Sequence, residues 1–251
     1  MIAAAFDAVI YNPLYNAVVF LVGALPTHDL GVAVIVLTIL VRIILMPLAR
    51  RAVETQRAMK QITPEVEALK KKYKKNSPEQ SQAIFALYKE RNIHPFASIG
   101  LTFLQLPVLF GLYWVFLKAG FPEINAAILY PFVHEPSVVN IHFLGFMDMT
   151  ATHNIVLAIL VAISQFVYTR LSMGPREVKP ESTPVEASLS EDMAKSFDMQ
   201  ARYILPVTFG IISYFLAAAA PLYWTTANVF MIAQELAAGR RFREETGAPK
   251  A

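Results

Sequence analysis

Residues 31–50 read GVAVIVLTILVRIILMPLAR. The run is long and apolar enough to cross a bilayer as a helix, yet it carries one arginine, Arg42, inside its hydrocarbon-length portion. A guanidinium at the centre of a membrane helix is unfavourable by about 2.5–3.5 kcal/mol, and no acidic residue lies along this stretch to pair with it. Two solutions are open. At about 1.5 Å per residue Arg42 sits roughly 10 Å from the Arg50 end, so its side chain can stretch toward the headgroups. Alternatively, it faces a water-filled cavity inside a helix bundle.

Composition sets the class. The 251 residues are 55% hydrophobic and only 16% charged, too little charge to clothe a soluble surface, so the chain reads as an integral membrane protein. With no cysteine it cannot use disulfides, thiol chemistry, cysteine-based zinc sites or a lipidated cysteine. The net charge of +3 is small, so the distribution of charge carries more information than its sum.

Outward from Arg42 toward the N-terminus, residues 1–30 hold no Lys or Arg and so lack the basic start of a cleavable signal peptide. Asn12-Pro13 predicts a helix start, and Leu14, Val18, Leu21, Val22 and Leu25 follow at helical spacing. The expectation is a short interfacial helix over 13–25 on the outer surface. An extra span is the alternative, but thirteen residues reach only about 20 Å against a core of about 30 Å.

Toward the C-terminus the first span, 31–49, ends at Pro47-Leu48, and residues 50–95 turn polar and basic. Thr63-Pro64 and Ser77-Pro78 mark two helix starts, the second with Gln80 in capping-box position. Ile62, Val66, Leu69 and Tyr73 share one face of the first helix, and Ile84, Leu87 and Tyr88 one face of the second, which predicts a cytoplasmic antiparallel helical hairpin. Its cluster Lys70, Lys71, Lys72, Lys74 and Lys75 suits anionic lipid better than nucleic acid, because no interleaved aromatic residues offer base stacking.

Four more spans follow. They are 96–117 with Gln105 and Pro107, 153–171 with Ser164, Gln165 and Tyr168, 202–219 with Tyr214, and 222–238 with Tyr223, Thr225, Thr226 and Asn228. An outer loop, 118–152, joins the second and third spans. A Pro/Glu/Ser-rich loop, 172–201, follows the third, Pro221 marks the turn into the fifth, and 239–251 is a short polar tail. His134 and His142 in the outer loop are a weak metal signal, and neither a metal nor a cofactor is expected.

Lys and Arg orient the chain. The hairpin side holds eleven, the outer loop only Lys118, the next loop with its flanks five, and the tail four. The positive-inside rule therefore puts the N-terminus outside and the hairpin, the 172–201 loop and the tail in the cytoplasm. Thr38, Arg42, Gln105, Ser164, Gln165, Thr225 and Asn228 would then converge on a polar groove that hydrates the arginine from the cytoplasmic half. Taken singly, each polar residue also suits hydrogen bonding between helices. No Asp or Glu lies deep in a span, which argues against a cation-coupled transporter, and no phosphate-binding GxxxxGK[ST] loop is present.

Several segments together carry a family resemblance: FDAVIYNPLYN at 6–16, DLGVAVIVLTILVRIILMPL at 29–48, ALYKERNIHPF at 86–96, LQLPVLFGLYW at 104–114, FLGFMDMT at 143–150 and PLYWTTANVFMIAQ at 221–234. In this order they resemble the YidC-type membrane protein insertases. The resemblance implies an all-α integral membrane protein of a bacterial plasma membrane, with five transmembrane helices around a hydrophilic groove whose arginine falls on Arg42. It implies a non-enzymatic insertase and chaperone that takes polar or acidic segments of nascent membrane proteins into the groove and releases apolar segments into lipid. Tyr168, Tyr214 and Tyr223 would line the groove or the apolar path beside it. A Sec translocon and the ribosome are the further partners the family suggests, although the short tail departs from relatives with long basic tails. His94 stands where members commonly have asparagine, and no large extracytoplasmic domain precedes the first span, as in the short form of the family. A small polar channel and a purely assembly chaperone are the alternatives.

Overall fold

The computed structural model describes residues 2–73, 77–93, 110–116, 121–174, 196, 198–237 and 239. Most of them are helical, and the chain divides into two compact units, residues 1–40 with 112–251, and residues 41–111. Three helical runs among the described residues are long and apolar enough to cross a membrane: Ala4–Ala24, Leu30–Arg51 and Ile155–Met173. Most of the expected second span lies outside the described residues, and so do much of the 172–201 loop and nearly all of the tail.

The first unit opens with helix α1, Ile2–Phe6, which runs through a π-helical turn, Asp7–Tyr11, into α2, Asn12–Ala24. This corrects the expected start at Asn12-Pro13. Proline lacks an N–H to donate, and the wide turn before it removes the need for one, so the helix passes through Pro13. Tyr15, Val18, Val19 and Val22 are fully buried on one face of α2. The outer loop lies against this helix. The Tyr15 hydroxyl accepts from the Asn125 N–H (2.8 Å), and the Asn16 side chain donates to the Ile128 carbonyl (2.9 Å) and accepts from the Tyr130 N–H (2.6 Å).

Asp29 then caps α3, Leu30–Gln61, accepting from the Val32 N–H at 3.0 Å. The expected end at Pro47-Leu48 is also corrected. Pro47 sits within a continuous helix of 32 residues, because one lost backbone bond is outweighed by helix-forming residues such as Ala49, Arg50, Arg51 and Ala52 on its far side.

The outer loop includes a two-stranded antiparallel hairpin, β1 (His142–Phe143) and β2 (Met147–Asp148). It leads into α6, Ile155–Met173, whose first turn is capped by Asn154 accepting from the Leu157 N–H at 3.0 Å. The next helix, α7 (Leu205–Tyr214), is entered through a π-helical turn, Gln200–Ile204. It stops at Tyr214, short of the expected end at 219. Its successor α8, Ala219–Ala237, starts earlier than expected and carries Pro221 in its first turn, where a missing N–H has no intrahelical partner to lose. The intervening backbone is held by the outer loop: the Ala218 N–H donates to the Ala151 carbonyl and the Ala219 N–H to the Met149 carbonyl.

Gly210 sets the approach of α7 to α6, since a methyl group there would lie 2.9 Å from the Ala162 Cβ. Trp224 of α8 meets Phe209 of α7 edge to face at 4.4 Å, so its ring serves packing between helices.

The second unit contains the hairpin. Helices α4 (Thr63–Lys72) and α5 (Pro78–Glu90) run antiparallel, as two distant ties require: the Gln80 side chain donates to the Lys70 carbonyl (3.2 Å), and Arg91 Nη2 reaches both Glu65 oxygens (3.0 and 2.9 Å). Ser77 caps α5 as expected, accepting from the Gln80 N–H at 3.1 Å. Thr63 is not a cap. Its hydroxyl donates to the Met59 carbonyl of the preceding helix, and Ile62 occupies the cap position.

Candidate functional site

In the first unit α6 and α8 bring two of the expected groove residues into contact. The buried Asn228 amide donates to the buried Ser164 hydroxyl at 3.2 Å, and that hydroxyl donates to the Val161 carbonyl one turn back (3.1 Å). Next to Ser164, the Gln165 amide donates to the Thr169 hydroxyl one turn further along α6 at 3.3 Å. Thr169 was not among the expected residues, although its position four beyond Gln165 on one helix face made it legible.

Other members of the set are placed singly. Thr38 is fully buried in the first unit and donates to the Val34 carbonyl of its own helix at 2.6 Å. Tyr223 is buried, and Tyr168 is half-buried. The Thr225 hydroxyl oxygen is buried with no hydrogen-bond partner among the described residues, while Thr226 turns back onto the Leu222 carbonyl (2.8 Å). Tyr214 is the last residue of α7, where its ring meets His153 edge to face at 5.0 Å and its carbonyl accepts from the His153 N–H. Gln105 lies outside the described residues.

Arg42 belongs to the second unit. It is half-buried, and its Nη2 nitrogen is shielded from solvent. It lies one helical turn beyond Thr38 along α3 and well inside the membrane-length segment Leu30–Arg51. Of the hairpin lysines, Lys70 and Lys72 are exposed on α4, Lys72 standing 5.7 Å from the Tyr73 ring centroid; Lys71 lies between them, and Lys74 and Lys75 fall outside the described residues.

A mainly helical chain with three membrane-length helical runs among the described residues, an arginine inside one of them and a buried polar hydrogen bond joining another to α8 defines a polytopic integral membrane protein. The family described as "60Kd inner membrane protein" matches residues 22–245, and the chain belongs to it. Among curated relatives it is 28% identical over 205 residues to "Membrane protein insertase YidC" of Paraburkholderia phymatum, covering 82% of this chain and 32% of that protein. A protein of the same description from Polynucleobacter asymbioticus is 28% identical over 212 residues, covering 84% and 32%. The chain therefore spans about a third of the length of these relatives. Among solved structures, one described as "Active YidC insertase crystal structure with the first transmembrane domain resolved" superposes with a TM-score of 0.54 at 21% identity, covering 91% of this chain and 46% of that one. That likeness is one of fold.

Proposed function

We propose that this protein inserts other membrane proteins into a bacterial inner membrane and helps them fold, with five membrane helices enclosing a hydrophilic groove that contains Arg42. The observation that carries this reading is the guanidinium within Leu30–Arg51, a position where charge is retained for function. Thr38, Gln105, Ser164, Gln165, Tyr168, Tyr223, Thr225 and Asn228 supply the rest of the lining, with Tyr214 toward the outer end. The run Ala4–Ala24 has the length and hydropathy to cross a membrane, but we place it on the outer surface, a reading supported by the cover that residues 121–130 give to Tyr15 and Asn16. The hairpin, the loop after α6 and the tail face the cytoplasm.

The mechanism follows from desolvation. A substrate's short polar or acidic segment enters the groove, where Arg42 offsets the loss of hydration at a carboxylate and the wet groove shortens the hydrocarbon distance to be crossed. The adjoining apolar segment partitions sideways into lipid, gaining about 0.3–0.6 kcal/mol for each Leu, Ile, Phe or Val. Neither nucleotide hydrolysis nor covalent chemistry is required. The hairpin lysines hold the cytoplasmic face to anionic lipid, and nascent chains arrive directly, from a ribosome or from a Sec translocon.

The test is insertion of a small single-span protein with an acidic N-terminal tail into liposomes carrying the purified protein, comparing wild type with Arg42→Ala and Arg42→Lys. Wild type inserts it without nucleotide, alanine loses most of the activity and lysine keeps most of it. Equal activity of wild type and alanine would remove Arg42 from the mechanism. Insertion no better than in empty liposomes would favour a chaperone that works only with partners.

A further inference from the structure

The hairpin of β1 and β2 carries an apolar tip that no packing among the described residues covers. Its residues 143–147 read Phe-Leu-Gly-Phe-Met, with no polar side chain, and Leu144 and Phe146 are 64% and 71% exposed. Leu144 also has φ +53°, beside Gly145 at +83°. A turn with positive φ in water is served most cheaply by asparagine or glycine, so a leucine here indicates that an apolar side chain is wanted at the tip.

The height of the tip is fixed by its attachments. The Leu144 N–H donates to Asp29 Oδ2 at 3.0 Å, while the other oxygen of that carboxylate caps the first turn of α3, where the membrane-length segment begins. The Phe143 ring lies against Gly31 in the same turn. On the far side of the hairpin the Met149 and Ala151 carbonyls accept from the first residues of α8 and the residue before it, and the His153 N–H donates to the end of α7. The tip is thus tied to the outer ends of the helices, level with the interfacial zone, which is about 5–8 Å thick on each side of the core.

We propose that Leu144 and Phe146 form a finger embedded in the outer leaflet of the bilayer, with the glycerol and upper acyl region of lipid as its partner. The proposal rests on the membrane-spanning reading of α3 and α6. Phe and Leu are among the side chains with which surface-bound elements enter the boundary between headgroups and acyl chains, and no Lys, Arg, Asp or Glu in the turn opposes entry. The finger would fix the outer loop, and through Asp29 the end of α3, to the membrane surface.

Because the chain contains no cysteine, single sites can be labelled without background. Phe146→Cys carrying a nitroxide, in the full protein in phosphatidylcholine/phosphatidylglycerol liposomes, is read for collision with oxygen, which concentrates in lipid, and with a water-soluble nickel chelate. Ile163→Cys on the exposed face of α6 is the lipid reference and Glu90→Cys on α5 the water reference. The finger requires oxygen to outweigh nickel at Phe146, as at Ile163, with the ratio reversed at Glu90. Should Phe146→Cys fail to fold, Leu144→Cys is read in its place under the same criterion. A nickel-dominated signal at the tip with an oxygen-dominated one at Ile163 overturns the finger alone. Nickel dominance at Ile163 as well removes the membrane reading and the finger together.

Discussion

Asn228 and Ser164, 64 residues apart in sequence, are joined by a buried hydrogen bond of 3.2 Å that links α8 to α6. Interhelical hydrogen bonds in membrane proteins contribute about 0.6 kcal/mol on average and at most about 1.7, because unfolded helices in lipid also find partners. A double-mutant cycle on Asn228→Ala and Ser164→Ala, followed by thermal or denaturant unfolding in detergent, is expected to give a coupling energy of about 0.6 kcal/mol. Zero coupling would mean that the two side chains meet without stabilising the helix pair.

Gly31 gives a larger effect. A methyl group there would lie 2.5 Å from the Phe143 Cδ2 and 2.6 Å from its Cγ, and the ring is anchored in the hairpin. Gly31→Ala should destabilise the protein by about 1–3 kcal/mol, the usual range for overpacking. Adding Phe143→Leu should recover part of the loss. If Gly31→Ala alone unfolds at the wild-type temperature, the ring has room to move and the attachment is loose.

In the hairpin of α4 and α5 two ties can be ranked. Arg91 reaches both Glu65 oxygens from one nitrogen, Nη2, and both side chains are about half exposed, so the pair is worth about 0.2–1 kcal/mol and is screened by salt. Gln80 is buried, and its bond to the Lys70 carbonyl is worth about 0.5–1.5 kcal/mol with little salt dependence. Arg91→Ala should lose its effect on hairpin proteolysis at about 1 M salt, whereas Gln80→Ala should keep its effect. The reverse order would assign the hairpin's stability to charge.

Asp148 links the outer hairpin to pH. Partial burial raises the pKa of this carboxyl, but the Thr150 hydroxyl and backbone N–H, which donate to one oxygen at 2.7 and 2.8 Å, outweigh it and hold the group below 3.8. A depressed folded pKa means stability that is fully present above the unfolded value and lost as pH falls through the folded one. The outer loop should therefore loosen only below about pH 4. Asp148→Asn should flatten this part of the acid profile when hydrogen exchange of residues 142–150 is followed, and an unchanged profile would place the acid sensitivity elsewhere.

Helix starts were legible where a capping side chain, a proline and a glutamine stood at capping-box spacing. Asn154 and Ser77 act as helix caps in the structure, and the spacing of Ser77, Pro78 and Gln80 already marked one of them. Where the deciding forces act over long distances the sequence was silent. The stop of α7 at Tyr214 has no glycine or proline to announce it; it comes from backbone bonds that residues 149–153 make to 214, 218 and 219. Asn12-Pro13 misled in the opposite direction, because the π-helical turn before it lets the helix continue. Within the candidate site, residue types did not reveal partners. Asn228 found Ser164, whereas Thr38 and Thr226 bond to carbonyls of their own helices, an outcome that composition cannot distinguish.

The attachment of α2 to the outer loop also sets an order of events in time. Tyr15 and Asn16 find their partners 110 to 114 residues later, and Asp29 finds one of its own 115 residues later. At a synthesis rate of about 5–20 residues per second, those partners leave the ribosome roughly 5–20 s after the groups that await them. During that interval the Tyr15 hydroxyl, the Asn16 side-chain oxygen and one Asp29 oxygen await these partners, while the Asn16 amide nitrogen can already donate to the Asn12 carbonyl one turn back (2.8 Å). The N-terminal helix therefore waits for residues 125–144 before its packing is complete, and this part of the fold closes late in the protein's own biogenesis.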